Sequence, residues 1–321
     1  MGEGTAISRA LRWGKPVFGL ALLALLASQV DVARLAELMQ RGELLQLTLA
    51  LGSFVGALVG FQAFRLHILV RAYTGSIGAS WQLFFVGAFF NNLLPSNVGG
   101  DAVRLLYLRR RGDADWAGPL SRLVLHRVSG ITSIMVAFAA YALLLPGRLD
   151  GALSRLRIEV RFGVLTVGVL GLLLLAALLL LSLHSTVGRR LWTRGQAFMG
   201  RFAAGLQQVT GGTLVLLAVL TFAFHGLRMV GFYVGASFFG QTIAFWDIVP
   251  VLMVTAVVAL LPLTVGGLGL VEGSLSVGLA AFGVSTEAAV GLALIHRLAL
   301  LLVAAIGGLV YAVQGPSPDH S

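Results

Sequence analysis

Two stretches decide how this chain folds: Leu93-Leu94-Pro95-Ser96-Asn97-Val98-Gly99-Gly100 and Leu260-Leu261-Pro262-Leu263-Thr264-Val265-Gly266-Gly267. Each interrupts an apolar segment, residues 81–108 and 248–282. Proline removes a helix hydrogen bond and clashes with the preceding turn, and paired glycines loosen the backbone. Each segment is therefore expected to form two short helices around a break at Pro95, Gly99 and Gly100, or at Pro262, Gly266 and Gly267. A His-Arg pair follows each break, His126-Arg127 31 residues after Pro95 and His296-Arg297 34 residues after Pro262. Break and pair recurring together at similar spacing mark an internal duplication.

Around these breaks the chain is strongly apolar. It has 321 residues, 58% hydrophobic and 11% charged, with a mean hydropathy of +0.92. Soluble domains carry roughly 25% charged residues, so a soluble globular fold is excluded. Runs such as Phe162 to Leu183 reach the roughly 20 residues that cross a bilayer core. Six full spans are expected, near 16–30, 44–64, 119–145, 162–183, 213–239 and 286–313. The first begins after Arg9, Arg12 and Lys15 and reads as a retained signal anchor rather than a cleaved peptide.

With no cysteine in the chain, a disulfide framework, a thiolate metal site and a cysteine nucleophile are excluded. The six histidines offer no HxxxH pair, and neither a metal nor a cofactor is expected. Walker, GxSxG and HExxH signatures are missing, so no enzyme chemistry and no catalytic residue are predicted.

The net charge of +10 comes almost wholly from arginine. In a membrane chain this excess fixes orientation instead of binding nucleic acid. If each broken segment is a hairpin that enters and leaves on one side, 14 basic residues, including Arg65, Arg104, Arg122 and Arg201, fall on the cytoplasmic side and six outside. Both termini then lie inside a plasma or inner membrane. The fold class expected is all-α, polytopic, with two inverted repeats of three spans and one re-entrant hairpin each. The first repeat is 1–150 with hairpin 81–108, the second is 151–321 with hairpin 248–282, and together they form one membrane domain. Opposed breaks need a polar cavity at the midplane, because backbone outside a helix at that depth must be satisfied by protein or water.

Charged groups inside spans identify the candidate site. Arg127, Arg228 and Arg297 each cost about 2.5 to 3.5 kcal/mol at the membrane centre. With Arg104 they make four arginines against two acids, Asp101 and Glu272, and the surplus suits the phosphate of a lipid headgroup. The competing reading is ion pairing between halves, Arg127 with Glu272 and Arg297 with Asp101. Asn91, Asn92, Asn97, His126, His225 and His296 are expected to line the cavity or cap the half-helices.

At Phe89-Phe90-Asn91-Asn92-Leu93-Leu94-Pro95, Val98-Gly99-Gly100-Asp101, Arg104, His126-Arg127, Leu261-Pro262, Gly266-Gly267-Leu268-Gly269, Glu272 and His296-Arg297, the chain resembles the flippase-like transmembrane family of lysylphosphatidylglycerol synthases. The resemblance covers roughly residues 10 to 315. It implies movement of an anionic phospholipid or lipid-linked headgroup between leaflets. In the best-known members a soluble aminoacyl-transfer domain is fused behind the membrane part; that activity is not carried over to a chain that stops at Ser321. The expected partners are the lipid substrate, the membrane and a lipid-synthesising enzyme. Two other classes remain open: a membrane subunit of a lipid-modifying enzyme with His126 or His296 as base, and an anchor for a soluble partner.

Overall fold

The structure is a computed structural model that describes residues 21–94, 99–110, 116–156, 186–261 and 263–314. The described residues are helical almost throughout, with no strand among them. Residues 21–28 are helical, and the helices that follow are α1 (Val32–Arg41), α2 (Leu44–Gly56), a π-helical turn (Ala57–Gln62), α3 (Ala63–Thr74), α4 (Ile77–Leu93) and α5 (Gly99–Arg110). Next come α6 (Ala117–Leu144), α7 (Pro146–Arg155), α8 (Thr186–Gln207), α9 (Gly211–Phe238), α10 (Ile248–Ala259), α11 (Leu270–Ala281) and α12 (Thr286–Gln314).

Among the described residues four helical stretches are long and apolar enough to cross a membrane: Leu44–Thr74, Ala117–Leu144, Gly211–Phe238 and Thr286–Val313. This chain is a multi-pass helical membrane protein. Three of these stretches lie within a few residues of the expected spans. The stretch from Leu44 runs ten residues beyond the expected end at 64, because Leu66, Ile68, Leu69 and Val70 continue its apolar face and Arg65 is satisfied inside the protein. The expected span 162–183 and the start of 16–30, residues 16–20, lie outside the described residues.

Local chemistry explains the ends. Asp31 accepts the Arg34 N–H at 3.1 Å, Ser76 the Ala79 N–H at 3.1 Å and Thr210 the Thr213 N–H at 3.3 Å, each capping an orphan donor at a helix start. Gly75, at φ 73°, closes α3 in the left-handed conformation that glycine adopts without a steric penalty. Three segments outside the expected spans, α1, α7 and α8, are also helices. Leu35 and Leu38 of α1 and Leu149 of α7 pack against the main core, which explains their order.

Both broken segments form two helices around an interruption, as the Pro and Gly-Gly pattern predicts: α4 and α5 in the first, α10 and α11 in the second. Each pair packs against the last long helix of the other half. α4 lies on α12 and α10 lies on α6, while α2 and α9 meet between them. Small residues permit this closeness. A Cβ on Gly307 of α12 would lie 2.6 Å from the Phe85 carbonyl carbon, so only glycine fits there.

The main core is built around Phe54, Phe232, Phe239, Leu275 and Leu292. A second cluster centres on Leu66, Phe84, Leu108, Leu123 and Leu217. At the entrance of the second broken pair, Asp247 is buried and accepts from Tyr141 Oη at 2.9 Å and from Arg148 Nη1 at 2.7 Å. This cluster ties the end of α6 and the start of α7 to the segment that leads into α10.

A candidate anion cavity between the two breaks

The site begins with the backbone of the first break. α4 ends where Leu94 turns extended (φ −84°, ψ 147°), and α5 starts at Gly99. Asn91 Oδ1 accepts the Gly100 N–H at 2.8 Å, so an α4 amide satisfies one orphan donor of α5. Asn92 turns back to the Ala88 carbonyl at 3.0 Å. The two helices approach so closely that a Cβ on Gly87 would lie 2.6 Å from Arg104 Cζ, and one on Gly100 would lie 2.6 Å from Asn91 Cγ. Arg104 can therefore lie across α4, where it donates to the Phe84 carbonyl at 3.1 Å and to Asp101 Oδ1 at 2.8 Å. Pro95 and Asn97 lie outside the described residues, as does Pro262 at the second break.

The second break is a 3₁₀ turn over Val265–Gly267 in which Gly266 (φ 58°), Gly267 (φ 70°) and Gly269 (φ 78°) are all left-handed. Side chains are strained in that region, which accounts for the glycines of the Gly-Gly-x-Gly pattern. Arg297 Nη1 donates to the Gly266 carbonyl at 3.0 Å, and Glu272 accepts the Gly269 N–H at 2.7 Å while pairing with Arg297 Nε. The breaks meet: a Cβ on Gly266 would lie 3.1 Å from Asn92 Cα and 3.4 Å from the Asn91 carbonyl oxygen.

Between the breaks lies a cavity of about 220 Å³. Its wall takes Gln62 and Arg65 from the first long helix, Asn91, Asp101 and Arg104 from the first broken pair, and His126, Arg127, Gly130 and Ile131 from α6. Phe224, His225 and Arg228 of α9 and Ala256 and Leu260 near the second break complete it. Seven of the residues singled out in the sequence are thus brought together: Asn91, Asp101, Arg104, His126, Arg127, His225 and Arg228. Glu272, His296 and Arg297 are not at the wall. Glu272 and Arg297 form a buried pair, 2% and 7% exposed, and His296 Nε2 lies 3.4 Å from Arg228 Nη2.

The ion pairs correct the cross-half alternative. Arg127 pairs with Asp101 rather than Glu272, and Arg297 pairs with Glu272 rather than Asp101. Each bond stays within its own half, linking the start of the second half-helix to the following long helix. Among the described residues Asp101 is the only carboxylate at the wall, and it serves both Arg104 and Arg127. Arg228 has no carboxylate partner among them; its guanidinium sits 5.4 Å from the Phe224 ring centre.

Arg65 was expected among the cytoplasmic loop charges. It is instead buried at the cavity wall, 2% exposed, donating to the His126 carbonyl at 3.0 Å and Ser129 Oγ at 2.9 Å, with its guanidinium 5.7 Å from the same Phe224 ring. Among the described residues its Nε has no hydrogen-bond partner, nor has His225 Nδ1. Arg104 and Arg122 also leave the loop count, being buried. A signal for Arg65 existed in the sequence: Gln62-Ala-Phe-Arg65 and His225-Gly-Leu-Arg228 carry the same polar-x-x-Arg spacing on the long helix ahead of each break. The π-helical turn ending at Gln62 inserts an extra residue just before Arg65, and such turns often occur at functional sites.

Fold and site together define a polytopic helical membrane protein with a partly open, arginine-rich cavity where two broken helices meet. The profile of the family described as lysylphosphatidylglycerol synthase TM region matches residues 12–308. The chain belongs to that family, and so to a group of lipid-related membrane proteins. No curated protein and no solved structure matched significantly.

Proposed function

We propose that the protein is a flippase- or scramblase-like transporter that moves an anionic phospholipid or lipid-linked headgroup between leaflets. The observation that carries this reading is the cavity wall, with four arginines against one carboxylate at the point where two helices break. A phosphate entering there meets guanidinium forks that match its oxygens, while the acyl tails stay in the bilayer. Arg65, Arg104, Arg127 and Arg228 hold the phosphate. Asp101 holds Arg104 and Arg127 in place and shares them with the ligand.

In this reading the broken pairs are re-entrant hairpins, the halves are inverted repeats, and both termini are cytoplasmic. The exchanged packing, α4 on α12 and α10 on α6, supports it, as do the matching pairs Asp101–Arg127 and Glu272–Arg297, 26 and 25 residues apart. The first pair faces the cavity and the second is closed around Gly266 and Gly269. Two equivalent sites, one open and one shut, are what alternating access between related conformations requires. The protein makes and breaks no covalent bond. A second reading, the acceptor-binding membrane subunit of a lipid-modifying enzyme, draws on the family's tie to a synthase; it predicts a new lipid species in extracts.

The test is a dithionite leaflet assay on purified protein in sealed liposomes with labelled lipids. Faster loss of an anionic label, slowed about tenfold or more by Arg127→Ala or Arg228→Ala, supports transport. Unchanged rates in both variants would remove the arginines from the mechanism.

A further inference from the structure

Resting on that reading, we infer that the cavity selects a headgroup carrying two or more negative charges, a lipid phosphomonoester or pyrophosphate, over a singly charged phosphodiester. The argument is one of charge. Arg65, Arg104, Arg127 and Arg228 stand against Asp101 alone among the described wall residues, which leaves three positive charges. Guanidinium does not discharge by losing a proton, so the excess is fixed. The carbonyls of Phe84 and His126 take hydrogen bonds from Arg104 and Arg65, which orients the forks but supplies no negative charge. Glu272 cannot help, since Arg297 and the Gly269 N–H already occupy it.

Uncompensated charge on partly buried arginines is costly, and a bound anion offsets it in proportion to its own charge. A phosphodiester carries one negative charge and leaves two positive charges unanswered. A phosphomonoester brings about −1.5 to −2 and three terminal oxygens, and a pyrophosphate more. Donors are waiting for such acceptors: Arg65 Nε–H, buried without a partner, is at the wall. An aminoacylated phosphatidylglycerol adds ammonium charge to the side already in excess, so this wall disfavours it.

The experiment is displacement of a labelled lipid from the full chain in phosphatidylcholine nanodiscs. The competitors are phosphatidic acid, phosphatidylglycerol, lysyl-phosphatidylglycerol and inorganic pyrophosphate. Phosphatidic acid should bind about tenfold or more tightly than phosphatidylglycerol, with the lysyl lipid weakest. In Arg228→Gln, and separately in Arg65→Gln, each checked for an intact thermal transition, that preference should shrink to about threefold or less. Equal binding of phosphatidic acid and phosphatidylglycerol, or tight binding of the lysyl lipid, overturns the inference and leaves lipid transport standing. Displacement by pyrophosphate as strong as by phosphatidic acid overturns a lipid ligand in favour of a free anion. Failure of every competitor, together with no acceleration in the leaflet assay, overturns the transport reading itself.

Discussion

Arg228 and Arg297 show how one residue type does opposite work in the same protein. Arg297 is paired with Glu272 in a buried bond. Removing one partner of such a bond strands the other charge, which typically costs 3–5 kcal/mol. Arg297→Ala should therefore lower the thermal transition of the purified protein by many degrees. Arg228 has no carboxylate partner among the described residues, and its half-buried charge has His296 and the Phe224 ring beside it. Arg228→Ala relieves that burial, so its transition should stay level or rise while transport falls. A melt showing Arg228→Ala as destabilised as Arg297→Ala would mean that Arg228 is structural. Asp101→Asn should behave like Arg297→Ala, because it removes the buried carboxylate charge that Arg104 and Arg127 share.

At the scale of elements, the π-helical turn over Ala57–Gln62 controls where Arg65 points. One residue of α-helix turns the chain by about 100°. Because the turn absorbs one extra residue, deleting Gly60, around which a Cβ would meet nothing within 4 Å, should restore regular helix and leave Arg65 facing the cavity. The deletion variant should fold and keep the anionic-lipid binding that Arg65→Ala loses, as read by lipid displacement. The cluster of Tyr141, Arg148 and Asp247 makes a second element-level prediction. Tyr141→Phe and Arg148→Ala should each destabilise the fold, and their effects should be non-additive, because both donate to one buried carboxylate. Strictly additive melting shifts would show that the cluster is not one unit.

For the whole molecule, the proposed inverted arrangement would put α7 and the end of α8 on opposite faces of the membrane. The chain has no cysteine, so single substitutions report without background. Ser154→Cys and Gln207→Cys, both at exposed positions, should react with an impermeant maleimide from opposite sides. Labelling from the same side would break the topology. Helix lengths fit the arrangement: stretches of 28 to 31 residues extend about 42 to 46 Å at 1.5 Å per residue, longer than a roughly 30 Å core, so they tilt or project beyond it.

Much of this was determined by the sequence alone. Hydropathy marks helices by composition and length, and Pro with Gly-Gly marks a break through local backbone sterics, so the spans at 117–144, 211–238 and 286–313 and both broken pairs were legible. The recurring His-Arg pairs carry the proposed duplication. Tertiary structure alone decided which charges meet. Pattern placed Asp101 and Glu272 each near a break, but whether Arg127 reaches one or the other depends on how helices distant in sequence pack. Arg65 read as a loop charge because hydropathy sees the cost of a charge and not the Ser129 hydroxyl and His126 carbonyl that offset it. The amphipathic connections α1 and α7 are ordered by the core that covers them, and no local signal carries that contact. A local rule suffices where the physics is local, as in breaks and caps; the cavity is a property of packed helices, and only their packing creates its charge.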